Sequence, residues 1–187
     1  MLHDPTKLPL NLPRPEDDGA CDHLRGRYLR HVALRATSGS LIDVSDIPTI
    51  WTVVYVYPRT GVPGVEMPSG WDAIPGARGC TPQSCSYRDD YEEFLRLDAL
   101  VFGLSTQATG AQREFAEREH IPFPLLSDHD HEFGSALELP TFNVQGDDLY
   151  KRVTLIARGG AIQHVRYPVF PPNEDAVETL RWLRSHS

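Results

Sequence analysis

The feature that most constrains the fold is the run WTVVYVY at residues 51–57, in which apolar, β-branched and aromatic side chains follow one another without a break. Such a run is typical of a strand that is buried on both faces, and Pro58 ends it because proline cannot donate to a strand ladder. A strand of this kind needs covering layers on both sides of its sheet. The run therefore predicts a central strand in a layered domain of helices and strands.

Strands and helices alternate after this run. Before it, strands at residues 32–34 and 41–44 are predicted to form a hairpin around a Ser-Gly turn. Because alternation in the middle of the chain is combined with hairpins near its ends, we expect an α/β, thioredoxin-like fold, with a mixed central sheet and helices on both faces. The later predicted strands are residues 100–104, 124–126, 153–156 and 162–165, and the predicted helices are residues 81–97, 112–119, 132–137 and 174–184.

Length and composition indicate one domain with an irregular leader. The chain has 187 residues, 40% of them hydrophobic, which is enough for one sizeable core and short for two. Residues 1–29 are rich in proline and charge and show no sustained period, so we expect an N-terminal arm that lies over the surface or is partly disordered. Residues 30–187 then form the thioredoxin-like domain.

The charge balance excludes several classes of partner. With a formal net charge of -8 and a sequence isoelectric point of about 5.4, the surface is not suited to nucleic acid or to an anionic membrane. No apolar run approaches the ~20 residues that span a bilayer. The opening residues lack the basic start and apolar stretch of a secretory signal, so we expect a cytoplasmic location.

The cysteines direct attention to chemistry rather than to stability. Cys21, Cys80 and Cys85 are odd in number and too few for a disulfide-stapled scaffold, so they are interpreted as thiols with separate roles. Cys80 and Cys85 lie together in the segment GCTPQSC, whereas Cys21 lies in the predicted arm.

Cys80 is placed where a loop becomes a helix. Thr81 is the predicted N-cap, and Pro82 suits the first helical position. Unpaired N–H groups and the positive end of the helix dipole favour a thiolate over a thiol at such a place. Cys80 is therefore the candidate nucleophile.

Cys85 lies five residues further on and is the candidate partner of Cys80. A thiolate that attacks an O–O bond becomes a sulfenic acid, which a second thiol must capture before further oxidation makes the change irreversible. In an intact helix the two Cα atoms would be about 8.6 Å apart, whereas a disulfide tolerates less than about 7 Å. We therefore predict that the first helical turn unwinds in each cycle.

Other interpretations of the cysteines and histidines are open. Both thiols are ordinary buried cysteines if the helix terminus has no chemical role. A structural zinc site is disfavoured because it takes four ligands in pairs spaced by two to four residues, and the chain has no CxxC. His129 and His131 flank Asp130 and are either metal ligands or a solvated helix start.

The stretch PGARGCTPQSCSYRDDY at residues 75–91 resembles the peroxidatic loop and helix of the peroxiredoxin family, in particular its bacterioferritin-comigratory or Q-type group. The resemblance runs from about residue 30 to the C-terminus. VALRATSGSLIDVSDI is similar to the leading hairpin of the family, WTVVYVYP to the strand before the active-site loop, LVFGLSTQATGAQREFAEREHIPFPLLSD to the next strand, helix and strand, and KRVTLIARGGAIQHV to the late hairpin.

The resemblance implies that Cys80 is the peroxidatic cysteine, Cys85 the resolving cysteine and Arg152 the active-site arginine. It implies a thiol-dependent peroxidase that reduces hydrogen peroxide and organic hydroperoxides through a sulfenic acid and an intramolecular disulfide. A thioredoxin- or glutaredoxin-like donor would reduce that disulfide. No cofactor and no metal are implied, and the protein is expected to be a monomer or a homodimer.

One part of the family motif, Pro-x-x-x-Thr-x-x-Cys, is interrupted in this chain. Ala77 stands three residues before the cysteine, where the motif has threonine. Pro58, Thr60, Gly79 and Thr81 are the residues expected to contact the peroxide, with the hydroxyl of Thr60 or Thr81 replacing the motif hydroxyl.

The interruption is an insertion at residues 61–77. Its Met67 and Trp71 are expected to form a wall that alters peroxide size preference or partner docking. Cys21, outside the resemblance, is expected to be a bystander.

Two rival functions use the same residues. One is a thiol-disulfide oxidoreductase or redox relay without strong peroxidase activity, although such proteins usually carry CxxC. The other is a copper-binding, thioredoxin-like metallochaperone that uses the cysteine pair with a distant histidine such as His164. Stoichiometric copper on Cys80 and Cys85 would identify the metallochaperone.

Overall fold

Strand β3, Trp51–Val56, lies inside the sheet and is buried along its whole length. The structure is a computed structural model that describes residues 4–186. Side chains alternate across the strand, so Val54 and Val56 belong to one apolar cluster while Val53 and Tyr55 belong to another on the opposite face. This two-sided burial explains why the segment lacks the polar alternation of a half-exposed strand.

Within residues 4–186, seven of the nine strands form one mixed sheet in the order β2-β1-β5-β4-β3-β8-β9, and β6 and β7 form a separate hairpin. Strand β3 pairs in parallel with β4 and antiparallel with β8, and β4 pairs in parallel with β5. The remaining strand bounds are β1 Leu34–Ala36, β2 Leu41–Ile42, β4 Ala99–Ser105, β5 Leu125–Ser127, β6 Thr141–Val144, β7 Asp147–Tyr150, β8 Val153–Arg158 and β9 Ala161–Arg166.

Helices cover both faces of this sheet. The face that carries Val53 and Tyr55 packs against α1, α2, α3 and α5, and the other face packs against α4 and the N-terminal segment. The prediction of a mixed central sheet with helices on both faces is confirmed. The helices are α1 Cys80–Asp89, α2 Tyr91–Arg96, α3 Thr109–Arg118, α4 Glu132–Leu137 and α5 Asp175–Arg184.

One prediction of secondary structure is wrong, and one hairpin of the structure was not predicted. The single helix predicted at 81–97 is two helices, α1 and α2, which meet at Asp90. Consecutive aspartates at the C-terminal end of α1 oppose the helix dipole, which is a physical reason for the break. The β6–β7 hairpin was not predicted. Its turn, Gln145-Gly146, takes two left-handed backbone conformations.

The N-terminal arm is packed against the domain rather than detached from it. A 3-10 helix, Asp22–Leu24, places Leu24 in the same apolar cluster as Phe133 and Leu137 of α4. Residues 26–29 also pair with the edge of β9, since the N–H of Gly26 donates to the carbonyl of Ile162 at 2.8 Å. The C-terminal part of the predicted arm is therefore part of the core.

Across residues 4–186, none of the helices combines the length with the apolar character that crossing a bilayer requires.

Candidate active site

The helix that carries both neighbouring cysteines begins at Cys80, one residue earlier than predicted. Its N-cap is Gly79, which has a left-handed φ of 105°. A Cβ atom at this glycine would lie 2.4 Å from Cγ of Pro172 and 2.9 Å from Cδ2 of Leu8, so both the backbone angle and the space require glycine. The glycine turns the loop sharply and places Cys80 in the first helical turn.

The prediction that Thr81 caps this helix is wrong. Thr81 is the second residue of α1, so its side chain cannot reach forward to the first free N–H groups as an N-cap would. Its hydroxyl is buried and has no hydrogen-bond partner within the described part of the chain.

Arg152 lies against the sulfur of Cys80. Its Nη2 atom is 3.3 Å from the Cys80 sulfur, and both side chains are only 3% exposed. The same nitrogen points toward the carbonyl oxygens of Gly76, Ala77 and Arg78 at 3.3, 3.3 and 3.2 Å. The loop carbonyls thus hold a permanent positive charge beside the sulfur, where it stabilises a thiolate.

Gln83 fixes the other end of this guanidinium. Its side-chain oxygen accepts a hydrogen bond from Nη1 of Arg152, and its Nε2 donates to Oδ2 of Asp175 at 2.7 Å. Gln83 lies one helical turn after Cys80 and is fully buried. It therefore connects the arginine to the start of α5.

Asp175 is the buried anchor of this connection. Its Oδ2 also accepts hydrogen bonds from the hydroxyls of Thr154 at 2.6 Å and Tyr87 at 2.9 Å. Its Oδ1 lies 3.1 Å from Nε of Arg166, a charge contact that lacks the alignment of a hydrogen bond. A fully buried carboxylate with these partners is a rigid support for Gln83.

Sequence reasoning missed Gln83 and Asp175. The available signal for Gln83 is its i+3 spacing from Cys80, which puts both on one face of a helix. Asp175 carries no local signal, because its partners come from α1, β8 and β9.

Cys85 also lies on α1 and is half-buried. Its thiol points at Oε2 of Glu119, with a sulfur–oxygen distance of 3.8 Å. Burial is the main reason why the pKa of Cys85 is raised to about 11. Arg88 opposes this shift, and the carboxylates of Glu119 and Asp89 add to it. Arg88 in turn donates to the backbone carbonyl of Glu119 at 2.7 Å, so the end of α3 contacts α1 at two points.

The other residues predicted to contact the peroxide have different surroundings. Pro58 is buried, two residues after the end of β3. Thr60 is 7% exposed, and both its N–H and its hydroxyl donate to Oε1 of Gln107, at 2.9 and 3.1 Å. The Thr60 hydroxyl is therefore engaged by the side chain of Gln107.

The remaining candidates lie apart from this site. Cys21 is buried in the arm, where burial first and then Asp18 and Asp17 raise its pKa to about 12. His164 stacks on Trp182 with ring centroids 4.9 Å apart. Over residues 4–186, histidine, cysteine and carboxylate side chains do not gather in groups of three or more that would hold a metal ion.

The insertion at 61–77 packs against the unpredicted hairpin. Trp71 is 3% exposed and forms a small apolar cluster with Ala77, Val144 and Leu149. Its ring also contacts Phe142, with centroids 6.2 Å apart. The insertion is thus an ordered wall joined to the residues just before Cys80.

The sequence of this chain is similar to those of known peroxiredoxins. Residues 25–180 match the family described as Redoxin. Peroxiredoxin Bcp of Escherichia coli is 29% identical over 153 residues, which are 80% of this chain and 88% of that protein. The chloroplastic peroxiredoxin Q of rice is 27% identical over 161 residues, covering 86% of this chain and 67% of that protein.

Solved structures show the same fold. Peroxidoxin BcpB of Mycobacterium tuberculosis superposes with a TM-score of 0.70 at 23% identity, covering 87% of this chain and 97% of that one. A mutant of Xanthomonas campestris peroxiredoxin Q gives a TM-score of 0.66 at 21% identity, covering 95% and 98%. The family match and the sequence relatives confirm the predicted resemblance, and the solved structures confirm the thioredoxin-like fold.

Proposed function

The chain belongs to the Redoxin family, and we propose that it is a thiol-dependent peroxidase in which Cys80 attacks the peroxide and Cys85 then forms a disulfide with the oxidised Cys80. The observation that carries the proposal is the 3.3 Å contact between Nη2 of Arg152 and the sulfur of Cys80 at the start of α1. A guanidinium and a helix N-terminus act on one sulfur atom, and both favour negative charge there.

In the first step the Cys80 thiolate bonds to one oxygen of the peroxide. The O–O bond breaks, the sulfur becomes a sulfenic acid, and the departing oxygen takes up a proton and leaves as water or an alcohol. Negative charge moves from sulfur to the departing oxygen during this step. Fixed donors such as the guanidinium of Arg152 stabilise that charge without having to reorganise.

In the second step the Cys85 sulfur displaces the hydroxyl group of the sulfenic acid. The S–S bond forms, the S–O bond breaks, and the hydroxyl group leaves as water with the proton of the Cys85 thiol. Because both cysteines lie on α1, the intact helix holds their Cα atoms about 8.6 Å apart. We therefore propose that the first turn of α1 unwinds before the disulfide closes.

The cycle ends when a dithiol donor reduces the disulfide by thiol exchange. A thioredoxin- or glutaredoxin-like protein supplies this chemistry. The protein would act in the cytoplasm, where a reducing environment keeps thiols such as Cys21, Cys80 and Cys85 free.

The test is the intact mass of the reduced protein after one equivalent of hydrogen peroxide, with the oxidised site located by peptide mapping. We expect the loss of two hydrogens and a link between Cys80 and Cys85. Cys80→Ser should abolish the reaction, whereas Cys85→Ser should leave the first step intact and accumulate oxygen on Cys80.

Cys21→Ser is the matched control and should behave as the unmodified protein. If Cys80 gains oxygen but forms no disulfide with Cys85, then Cys85 is not the resolving cysteine. Absence of a rapid reaction would reject the peroxidase and favour the redox-relay function.

A further inference from the structure

The first part of the N-terminal arm packs on the loop that leads into Cys80. We call residues 4–18 the strap. They precede residues 25–180, which match the Redoxin family. The loop is residues 76–79, directly before the first residue of α1. The strap contacts three of these four loop residues, so a segment outside the family match touches the part of the chain that must move when the disulfide forms.

Arg78 of the loop is joined to the start of the strap. Its Nη2 donates to the carbonyl oxygens of Asp4 at 2.9 Å and of Lys7 at 3.3 Å. Its Nη1 pairs with the carboxylate of Asp72 at 3.0 Å, and its side chain is only 10% exposed. The planar guanidinium holds several partners in fixed directions, so this one side chain connects the strap, the insertion and the loop.

Gly79, the N-cap of α1, is held between the strap and the segment before α5. A Cβ atom on this glycine would lie 2.9 Å from Cδ2 of Leu8 and 2.4 Å from Cγ of Pro172, so both side chains pack closely against it. The carbonyl of Gly79 also accepts the N–H of Gln83 at 3.0 Å. Leu8 therefore packs on the residue that closes the first turn of the helix.

The other end of the strap is held by Asp18. Its carboxylate accepts hydrogen bonds from Nζ of Lys151 at 2.6 Å and from the hydroxyl of Tyr167 at 2.7 Å. Lys151 directly precedes the active-site arginine. Between the two ends, Pro15 lies in van der Waals contact with Gly76, because a Cβ atom on that glycine would be 3.6 Å from the proline ring. The strap is thus attached on both sides of the loop's contact with the helix.

Closing the disulfide requires this region to move. The Cα atoms of Cys80 and Cys85 must approach from about 8.6 Å to less than about 7 Å. Gly79 moves with Cys80 because the two residues are bonded in sequence. The packing of Leu8 on Gly79 is therefore complete only while the first turn is wound, and a contact made in one of two states shifts the equilibrium towards that state.

We propose that the strap holds the first turn of α1 wound and so slows formation of the disulfide between Cys80 and Cys85. The inference rests on the proposed function of these two cysteines. A slower second step prolongs the life of the sulfenic acid on Cys80. When peroxide is abundant, that sulfur bonds to one oxygen of a second peroxide and the O–O bond breaks. The other oxygen takes up a proton and leaves as water or an alcohol, and Cys80 becomes a sulfinic acid.

The test is Leu8→Ala in the full chain, with disulfide formation followed by rapid quench after one equivalent of hydrogen peroxide. We expect the second step to accelerate about fivefold, the effect of losing one partly buried leucine side chain. The first step should keep its rate constant, and less sulfinic acid should form in excess peroxide. Leu10→Ala is the matched control, because Leu10 lies in the same strap but is fully exposed. It should change neither step.

A second pair of variants tests the other end of the strap. Asp18→Ala removes the acceptor of Lys151 and Tyr167 and should also accelerate the second step. Asp17→Ala is its control, since Asp17 accepts a local hydrogen bond from the N–H of Gly19. An effect of Asp17→Ala as large as that of Asp18→Ala would contradict the attachment of the strap at Lys151.

Amide exchange separates release of the strap from general destabilisation. The Gln83 amide reports the first turn of α1, and the Val54 amide, in the centre of the buried strand β3, reports global unfolding. In Leu8→Ala the exchange of Gln83 should rise by about the same factor of five as the second step, with Val54 unchanged. An equal rise at both amides would assign Leu8 to stability alone and overturn the inference.

An unchanged or slower second step in Leu8→Ala would also overturn the inference while leaving the peroxidase in place. If the unmodified protein forms no disulfide between Cys80 and Cys85, the proposed function fails instead. Exchange at Gln83 then decides by itself whether the strap holds the helix: faster exchange in Leu8→Ala supports the strap, and equal exchange rejects it.

Discussion

Nη2 of Arg152 lies 3.3 Å from the sulfur of Cys80, although the two residues are 72 positions apart in the chain. One residue stands directly before β8 and the other begins α1, so the contact exists only when the sheet and the helix are assembled. Loop carbonyls and Gln83 hold the guanidinium in one orientation. The charge at the sulfur is therefore a property of the folded domain.

Arg152→Lys tests whether the shape of this cation is needed as well as its charge. Lysine keeps the charge but lacks the planar fork that reaches Gln83 and Cys80 together. We expect the second-order rate constant for Cys80 oxidation by hydrogen peroxide to fall about 10²-fold, the usual cost of one preorganised donor. Stopped-flow measurement of the first oxidation step gives this constant.

Arg158→Lys, at the end of β8, is the control, because Arg158 is exposed and its guanidinium lies over the ring of Trp51 instead of beside a cysteine. An unchanged rate constant in Arg152→Lys would show that Cys80 oxidation does not require the planar guanidinium group.

The pKa of Cys85 predicts how disulfide formation depends on pH. Within folded α1 this pKa is about 11, above the ordinary cysteine value of 9.0, chiefly because of burial. A group whose pKa is raised on folding stabilises the folded helix below pH 9, and that stabilisation is lost as the pH rises through about 11. Rising pH therefore favours the Cys85 thiolate, and above about pH 9 it also favours unwinding. The rate of the second step should increase about tenfold per pH unit between pH 7 and 10.

Glu119→Gln should accelerate this second step at neutral pH and move its plateau to lower pH. The substitution removes a carboxylate that raises the pKa of Cys85 and that accepts its thiol hydrogen at 3.8 Å. Glu117→Gln, in the last turn of α3, is the control. Rapid-quench measurement of disulfide formation separates this step from the first, and a slower second step in Glu119→Gln would show that the carboxylate assists Cys85 instead of restraining it.

Asp175→Asn should destabilise the fold and loosen the support of Arg152. The change removes a fully buried charge that serves Gln83, Thr154 and Arg166, and we expect a loss of about 3 kcal/mol in the free energy of unfolding. Urea denaturation measures this loss. The rate constant for Cys80 oxidation should also fall in the protein that remains folded, because Gln83 loses its anchor.

Glu178→Gln provides the comparison for Asp175→Asn. Glu178 also faces Arg166, at 3.8 Å, but its side chain is 28% exposed, so the loss should be below about 1 kcal/mol. Equal effects of the two substitutions would contradict the assignment of Asp175 as the anchor.

Local patterns account for most of the fold that could be predicted. The continuous apolar run identified β3, and α4 begins and ends at the predicted residues, Glu132–Leu137. The β6–β7 hairpin was not predicted because each strand has only four residues and about half of these residues are exposed, so apolar periodicity is weak. Its usable signal is the left-handed Gln145-Gly146 turn.

The residues that hold the active site in place, Gly79 and Asp175, could not be predicted from local patterns. A glycine before a helix that starts with cysteine is visible in the sequence, but the reason for it includes a close approach to Pro172, almost a hundred residues away. The same holds for Asp175, whose partners come from three separate elements. Contacts of this kind depend on tertiary assembly, which residue spacing along one element does not encode.

The intrinsic fluorescence of Trp71 should report on the loop before Cys80. The indole is 3% exposed and shares an apolar cluster with Ala77, whose carbonyl lies 3.6 Å from the sulfur of Cys80. Unwinding of the first turn of α1 would displace this loop and expose the indole to water. Exposure to water shifts tryptophan emission to longer wavelength. Each catalytic turnover would then be visible as a rise and decay of red-shifted fluorescence, without any label attached to the protein.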